Sequence, residues 1–147
     1  MKREIIMVSA IVALVVAGHI FTQKYTQNFF EKIETNLHEL QEQVLVISKN
    51  NSEKNNNQSN IENKTELNEN NLKEKIKEIR TMWNNKYNKL AYFTEHDELE
   101  KIGAQIAIIS GYFEGREYEN SLAEIDRTIF LLKHIRDKDN FSLVNIF

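Results

Sequence analysis

The residues best equipped for chemistry stand together at Glu95-His96-Asp97-Glu98, with Glu100 two positions further on. On a helix, His96 and Glu100 are four apart and share a face, so an imidazole and a carboxylate would reach one divalent cation. A hydrolytic zinc site needs three protein ligands and an open position for water. His19, His38 and His134 offer no spacing that supplies the missing ligand, and the His-Glu-x-x-His pattern does not occur. The plainer reading is a charged helix start in which His96 bonds or packs locally. There is no Gly-x-Ser-x-Gly turn, no recognisable serine–histidine–acid set, and no Gly-Lys-Ser/Thr after the glycines. We therefore expect no catalytic residue, no metal and no cofactor. A metal-dependent hydrolase built on His96, Asp97, Glu98 and Glu100 is the last of the readings.

Three aromatic features invite a ligand. Trp83, the chain's one tryptophan, would stack on a ring, but at an apolar-stripe position it more often belongs to the core. Tyr112-Phe113 and Tyr118 would rim a pocket or, more simply, close a helical hairpin. The C-terminal Asn-Phe-Ser-Leu-Val-Asn-Ile-Phe, ending at Phe147, would enter a partner's groove or fold back on its own helices. The candidate interaction or ligand residues are thus Trp83, His96, Glu98, Tyr112 and Phe147.

The elements that must position these residues are helices. Among 147 residues there is no proline and no cysteine, and there are only four glycines. A sandwich or barrel needs turn residues in quantity, and Glu, Lys, Leu, Ile and Gln dominate instead. Without cysteine, a disulfide framework, a thiolate metal site and a cysteine nucleophile are all excluded. A net charge of −3 with interspersed signs gives no nucleic-acid-binding surface.

Ile5 to Phe21 carries no formal charge, and Ser9 and His19 are its polar members. Seventeen residues rise about 25 Å as a helix, enough for a bilayer's hydrocarbon core. Lys2 and Arg3 precede the run, which places the N-terminus in the cytoplasm and the rest outside. Phe21, Tyr25, Phe29 and Phe30, with Lys24, suit the outer headgroup region. A signal peptide cleaved after Val15-Val16-Ala17 is the rival reading. Apolar character continuing to Phe21 favours an uncleaved anchor.

Beyond the anchor, Phe30, Ile33, Leu37, Leu40, Val44 and Ile47 recur at alternating spacings of three and four, the pattern of a heptad stripe. This helix is continuous with the anchor in pattern, and its stripe offers a route to homo-oligomers. From Asn50 to Asn71, ten of 22 residues are asparagine, which predicts a flexible loop. Leu72, Ile76, Ile79, Trp83, Leu90 and Phe93 mark a second stripe, flanked by Met82 and Tyr87. Thr94-x-x-Asp97 resembles a helix cap, followed by Leu99, Ile102, Ile106, Ile109 and Phe113. Gly111 to Gly115 predicts a turn, and Tyr118, Leu122, Ile125, Ile129 and Leu132 a last helix ending near His134 to Lys138. The fold class is all-α: a transmembrane helix, then an antiparallel three- to four-helix bundle with an Asn-rich flexible loop. The domains are 1–22 cytoplasmic tip and anchor, 23–47 membrane-proximal helix, 48–71 linker and 72–147 bundle.

Taken together, the anchor, Trp83-Asn84-Asn85-Lys86, Glu95-His96-Asp97-Glu98-Leu99 and the closing Asn145-Ile146-Phe147 resemble a family of short bacterial membrane-anchored proteins. That family is classed as a domain of unknown function and occurs in Gram-positive, spore-forming anaerobes. The resemblance covers most of the chain apart from the Asn-rich insert. It implies no activity, and it makes Trp83, His96, Glu98 and the closing residues the first positions to test. The expected function is a non-enzymatic interaction or accessory protein of a membrane or envelope complex. Its expected partners are the lipid bilayer, through Ile5 to Phe21, and another protein. The alternative is a small-ligand sensor with a pocket near Trp83, Phe93 and Tyr112.

Overall fold

The computed structural model describes residues 2–52 and 62–144, with side-chain surroundings over 2–49 and 69–138. Four helices make up the described chain: α1 (Lys2–Ser52), α2 (Glu62–Leu90), α3 (His96–Glu114) and α4 (Tyr118–Val144). No strand occurs among the described residues.

Helix α1 has two halves with opposite surroundings. Residues 2–20 are exposed all round. From Thr26 onward a stripe is buried: Phe29, Phe30, Ile33, Leu37, Leu40, Val44 and Ile47. The halves join without a break, because no glycine–proline signal interrupts the pattern. Thr22 and Thr26 return their hydroxyls to carbonyls one turn back, at Gly18, His19 and Thr22, and keep the helix self-satisfied through the junction.

Side-chain pairs give the directions. Tyr25 meets Lys86 and Glu39 meets Lys75, so α2 runs antiparallel to α1. Glu34 meets Arg136, Gln41 meets Asp126 and Ser48 meets Glu119, so α4 also runs antiparallel to α1. Helix α3 contacts α2 and α4 and closes the cycle. The four stripes share one core, with Trp83, Phe30 and Phe113 among its largest fully buried side chains. Each helix beyond the anchor carries an apolar stripe that must be covered in water, and the stripes cover one another. The membrane-proximal helix is therefore docked, and its heptad stripe is spent on α2 and α4 of the same chain.

Several expected boundaries move. Of the stretch 48–71, residues 48–52 belong to α1 and 62–71 to α2, while 53–61 lie outside the described residues. Asparagine's low helix propensity is only a few tenths of a kcal/mol per residue, and core-anchored neighbours such as Ile47 and Leu72 carry the helices outward. Helix α4 does not end near His134–Lys138 but continues to Val144. Phe29 and Phe30, expected at the lipid headgroups, are buried instead.

The two short connections also differ from expectation. Phe93 leaves the α2 stripe and is exposed in the α2–α3 turn. The residue before α3 is Glu95, whose side chain makes no capping bond. Thr94 is buried, and its hydroxyl finds no partner among the described residues. At the other end, Gly111 stays helical and the turn falls at residues 115–117. There Arg116 takes φ 60°, while its N–H donates to Phe113 O and the Glu117 N–H donates to Tyr112 O. This is the Schellman pattern, with arginine where glycine is the usual residue.

Candidate functional site

Trp83 is the hub of the end nearest the anchor. Only 2 % of it is exposed. Its indole lies against Phe29 and Phe30 of α1, with ring centroids 6.2 and 6.4 Å away. On the other side Gly103 of α3 comes so close that a Cβ there would stand 3.1 Å from the indole Nε1. One side chain thereby joins α1, α2 and α3, and its face is filled by phenylalanines where a ligand would stack. Sequence reasoning named Trp83 but had no signal for Phe29, Phe30 or Gly103 as its neighbours.

His96 and Glu98 sit at the start of α3, yet they do different things. The His96 ring stands edge-on to Tyr87, with centroids 5.6 Å apart, and its Nε2 is 3.3 Å from the tyrosine oxygen. Glu100 lies 3.7 Å from the same nitrogen. No group of three or more potential ligands forms a metal site among the described residues. Glu98 turns toward α4, where Lys138 donates to its carboxylate at 3.2 Å and to that of Glu95 at 2.7 Å. The hydrogen bond from Lys138, then its charge, holds the Glu95 carboxyl below its ordinary value of 4.5. The bonds to Glu95 and Glu98 raise Lys138 above 10.5.

Tyr112 lies near the far end of α3. Sixteen residues separate it from His96, about 24 Å along the axis, so the structure does not bring the two together. Phe113, beside it, packs edge-on against Tyr118, with centroids 5.5 Å apart. Burial, and next the charge of Glu69, raises the Tyr118 phenol above its ordinary value. Arg116 reaches Glu69 at 3.6 Å, tying the α3–α4 turn to the start of α2. Phe147 lies outside the described residues.

A second charged node joins α4 to α1 and was not visible in sequence. The Glu34 carboxylate accepts from Arg136 at 2.9 Å, with Lys133 at 3.3 Å and His38 at 3.8 Å. Its α4 partners are about 100 residues away in the chain, so no local spacing announces it. Of the basic residues expected to serve the α4 dipole, Arg136 and Lys138 are thus held by carboxylates, while the His134 ring stacks on Phe130.

The end of the helices nearest the anchor carries a further exposed feature. Tyr92 is 83 % and Phe93 49 % exposed. Their rings lie side by side in the α2–α3 turn, with centroids 6.3 Å apart. Shallow grooves lie elsewhere, one of them lined by Glu39, Gln43, Val46 and Asn71 between α1 and α2. Neither this groove nor those beside Ser110 and Arg116 includes Trp83, Phe93 or Tyr112.

Residues 47–146 match the family described as Domain of unknown function (DUF4363). The chain belongs to this family. The match begins in the last turns of α1 and spans the Asn-rich stretch as well as α2, α3 and α4. It includes Trp83, His96, Glu98 and Tyr112 and brings no activity with it. No curated protein and no solved structure matches the chain.

Proposed function

We propose that this DUF4363-family protein is a single-pass membrane protein whose helices form an antiparallel bundle held against the outer face of the membrane. It acts there as a non-enzymatic interaction or accessory subunit of a membrane or envelope complex. The observation that carries this reading is the division of α1. Lys2 to Lys49 is a helix long and apolar enough to cross a membrane, and its most apolar window is wholly exposed. A helix apolar on every side has no stable place in water. The same helix then contributes seven core residues from Phe29 to Ile47. A span built this way is a rigid extension of the folded unit, so movement of the helices and of the anchor is coupled. Lys2 and Arg3 before the run favour a cytoplasmic N-terminus.

Two measurements test the reading. A reporter that works only outside the cytoplasm, fused after Phe147, should be active; its silence, with activity instead from a reporter that works only in the cytoplasm, would reverse the topology. The mass of protein recovered from membranes should include residues 1–17; their loss would make the apolar run a signal peptide. Crosslinking in the native membrane then identifies the protein partner.

A further inference from the structure

We infer that the α2–α3 turn is a second membrane contact, with Tyr92 and Phe93 seated in the lipid headgroup region beside the anchor. The axial register of α2 on α1 brings the turn there. Lys86 of α2 donates to Tyr25 of α1 at 2.9 Å and stands over its ring, 5.2 Å from the centroid, which fixes the two helices axially. From Lys86 to Leu90, α2 advances four residues, about 6 Å. The same distance along α1, in the antiparallel direction, leads from Tyr25 to Phe21, the outer end of the apolar run. The turn that follows Leu90 therefore arrives level with the boundary of the span.

What the turn presents there is suited to lipid. Two large rings are exposed together, although burying them in the core would have been favourable. Tyrosine supplies an apolar body with a polar tip, the combination enriched at headgroup depth. Lys24 and Lys89 are exposed at the same level, and their long stems reach the phosphates while the chains lie along apolar surface. The nearby acidic start of α3 is partly neutralised, because Lys138 holds Glu95 and Glu98. With the anchor on one side and the turn on the other, the folded unit meets the membrane at two places and cannot swing about α1. This inference depends on the anchor reading above and adds a defined contact to it.

The chain has no cysteine, so single labelling sites can be introduced cleanly. The full chain is reconstituted in vesicles of phosphatidylcholine and phosphatidylglycerol. A nitroxide is attached, one at a time, at Tyr92→Cys, Phe93→Cys, Ile11→Cys and Glu114→Cys. Each single replacement in the turn leaves the other ring in place. Collision rates with oxygen, which concentrates in lipid, and with a water-soluble nickel chelate are compared by paramagnetic resonance. Labels at Tyr92 and Phe93 should meet nickel severalfold less often than the label at Glu114, and oxygen more often, at a depth shallower than Ile11. Nickel exposure equal to that at Glu114, with Ile11 still in lipid, would overturn the turn contact and leave the anchor standing. Nickel exposure at Ile11 would overturn both. Shielding of the turn from both reagents would mean that protein covers it, which also overturns the proposal.

Discussion

Replacing Gly103 by alanine puts two forces in direct opposition. Gly103 lies within α3 (His96–Glu114), where alanine is favoured over glycine by about 1 kcal/mol. By that rule alone the variant is stabilised. The new Cβ, however, would stand 3.1 Å from Nε1 of Trp83, so the indole must yield by a few tenths of an ångström. It has little room, being wedged against Phe29 and Phe30 with only 2 % of its surface free. Overpacking of a filled core loses about 1–3 kcal/mol. The balance is a net loss of roughly 0–2 kcal/mol. Trp83→Leu keeps an apolar side chain but stops short of the Nε1 position that meets the Cβ, so Gly103→Ala in that background should recover its helix gain. The double-mutant cycle should then show a coupling of about 1–3 kcal/mol between the two positions. Urea titration of the full chain in detergent micelles, followed by circular dichroism, measures all four species. In the tryptophan-containing species, emission from this one indole reports the same site. If Gly103→Ala alone raises stability by about 1 kcal/mol, as propensity demands, the indole does not press on α3 and the hub is misassigned.

Other substitutions probe the remaining joints. Glu34→Gln should lose about 1–2 kcal/mol in the same titration, since it withdraws charged hydrogen bonding from Arg136 and Lys133 at a carboxylate only 13 % exposed. Arg116→Gly should be equal to wild type or more stable, and Arg116→Val less stable by about 1–2 kcal/mol, because the position is left-handed at φ 60°. For the Lys138 clasp, Glu95 has a lowered pKa, so its contribution is complete above 4.5 and lost as pH falls through the folded value. Lys138 has a raised pKa, so its contribution is complete below 10.5 and lost as pH rises through the folded value. The melting-temperature difference between wild type and Lys138→Met should thus be flat between those limits, vanish beyond both, and shrink with added salt. His96→Ala should leave helical content and bound metal unchanged. Stoichiometric zinc in the wild type, lost in that variant, would sink the non-enzymatic reading.

The stripes were the most legible part of the fold. Every residue of the Phe30–Ile47 heptad pattern is buried, as are Leu99, Ile102, Ile106, Ile109 and Phe113 of α3. Periodicity reads burial well because a helix needs only one apolar face to be placed. Phe93 shows where this fails: it continues a stripe in sequence, but the helix stops at Leu90 and the ring points outward. The turn glycines misled in a similar way. Gly111 and Gly115 sit near the reversal, but the left-handed residue is Arg116, since hydrogen bonding back to Tyr112 and Phe113 fixes the position regardless of which residue occupies it.

Of the candidate site, the residue types were visible and the groupings were not. Trp83 stood out by its rarity, whereas its enclosure by Phe29, Phe30 and Gly103 depends on three helices meeting. His96, Glu98 and Tyr112 share one helix but face different neighbours, and spacing along a chain says nothing of what approaches from another element. By itself the sequence determined a helical protein with an apolar, charge-free run at its start, because composition and local periodicity are enough to specify helices and their wet and dry faces. The continuity of that run with the heptad stripe was legible as well, and only the tertiary structure decided that the stripe of α1 docks in the core and does not stand apart as a stalk. The ion pairs that lock it to α4, and the register that brings Tyr92 and Phe93 level with Phe21, were decided there too. Those are long-range relations, and they follow from how four stripes close around one another, which no single stripe contains.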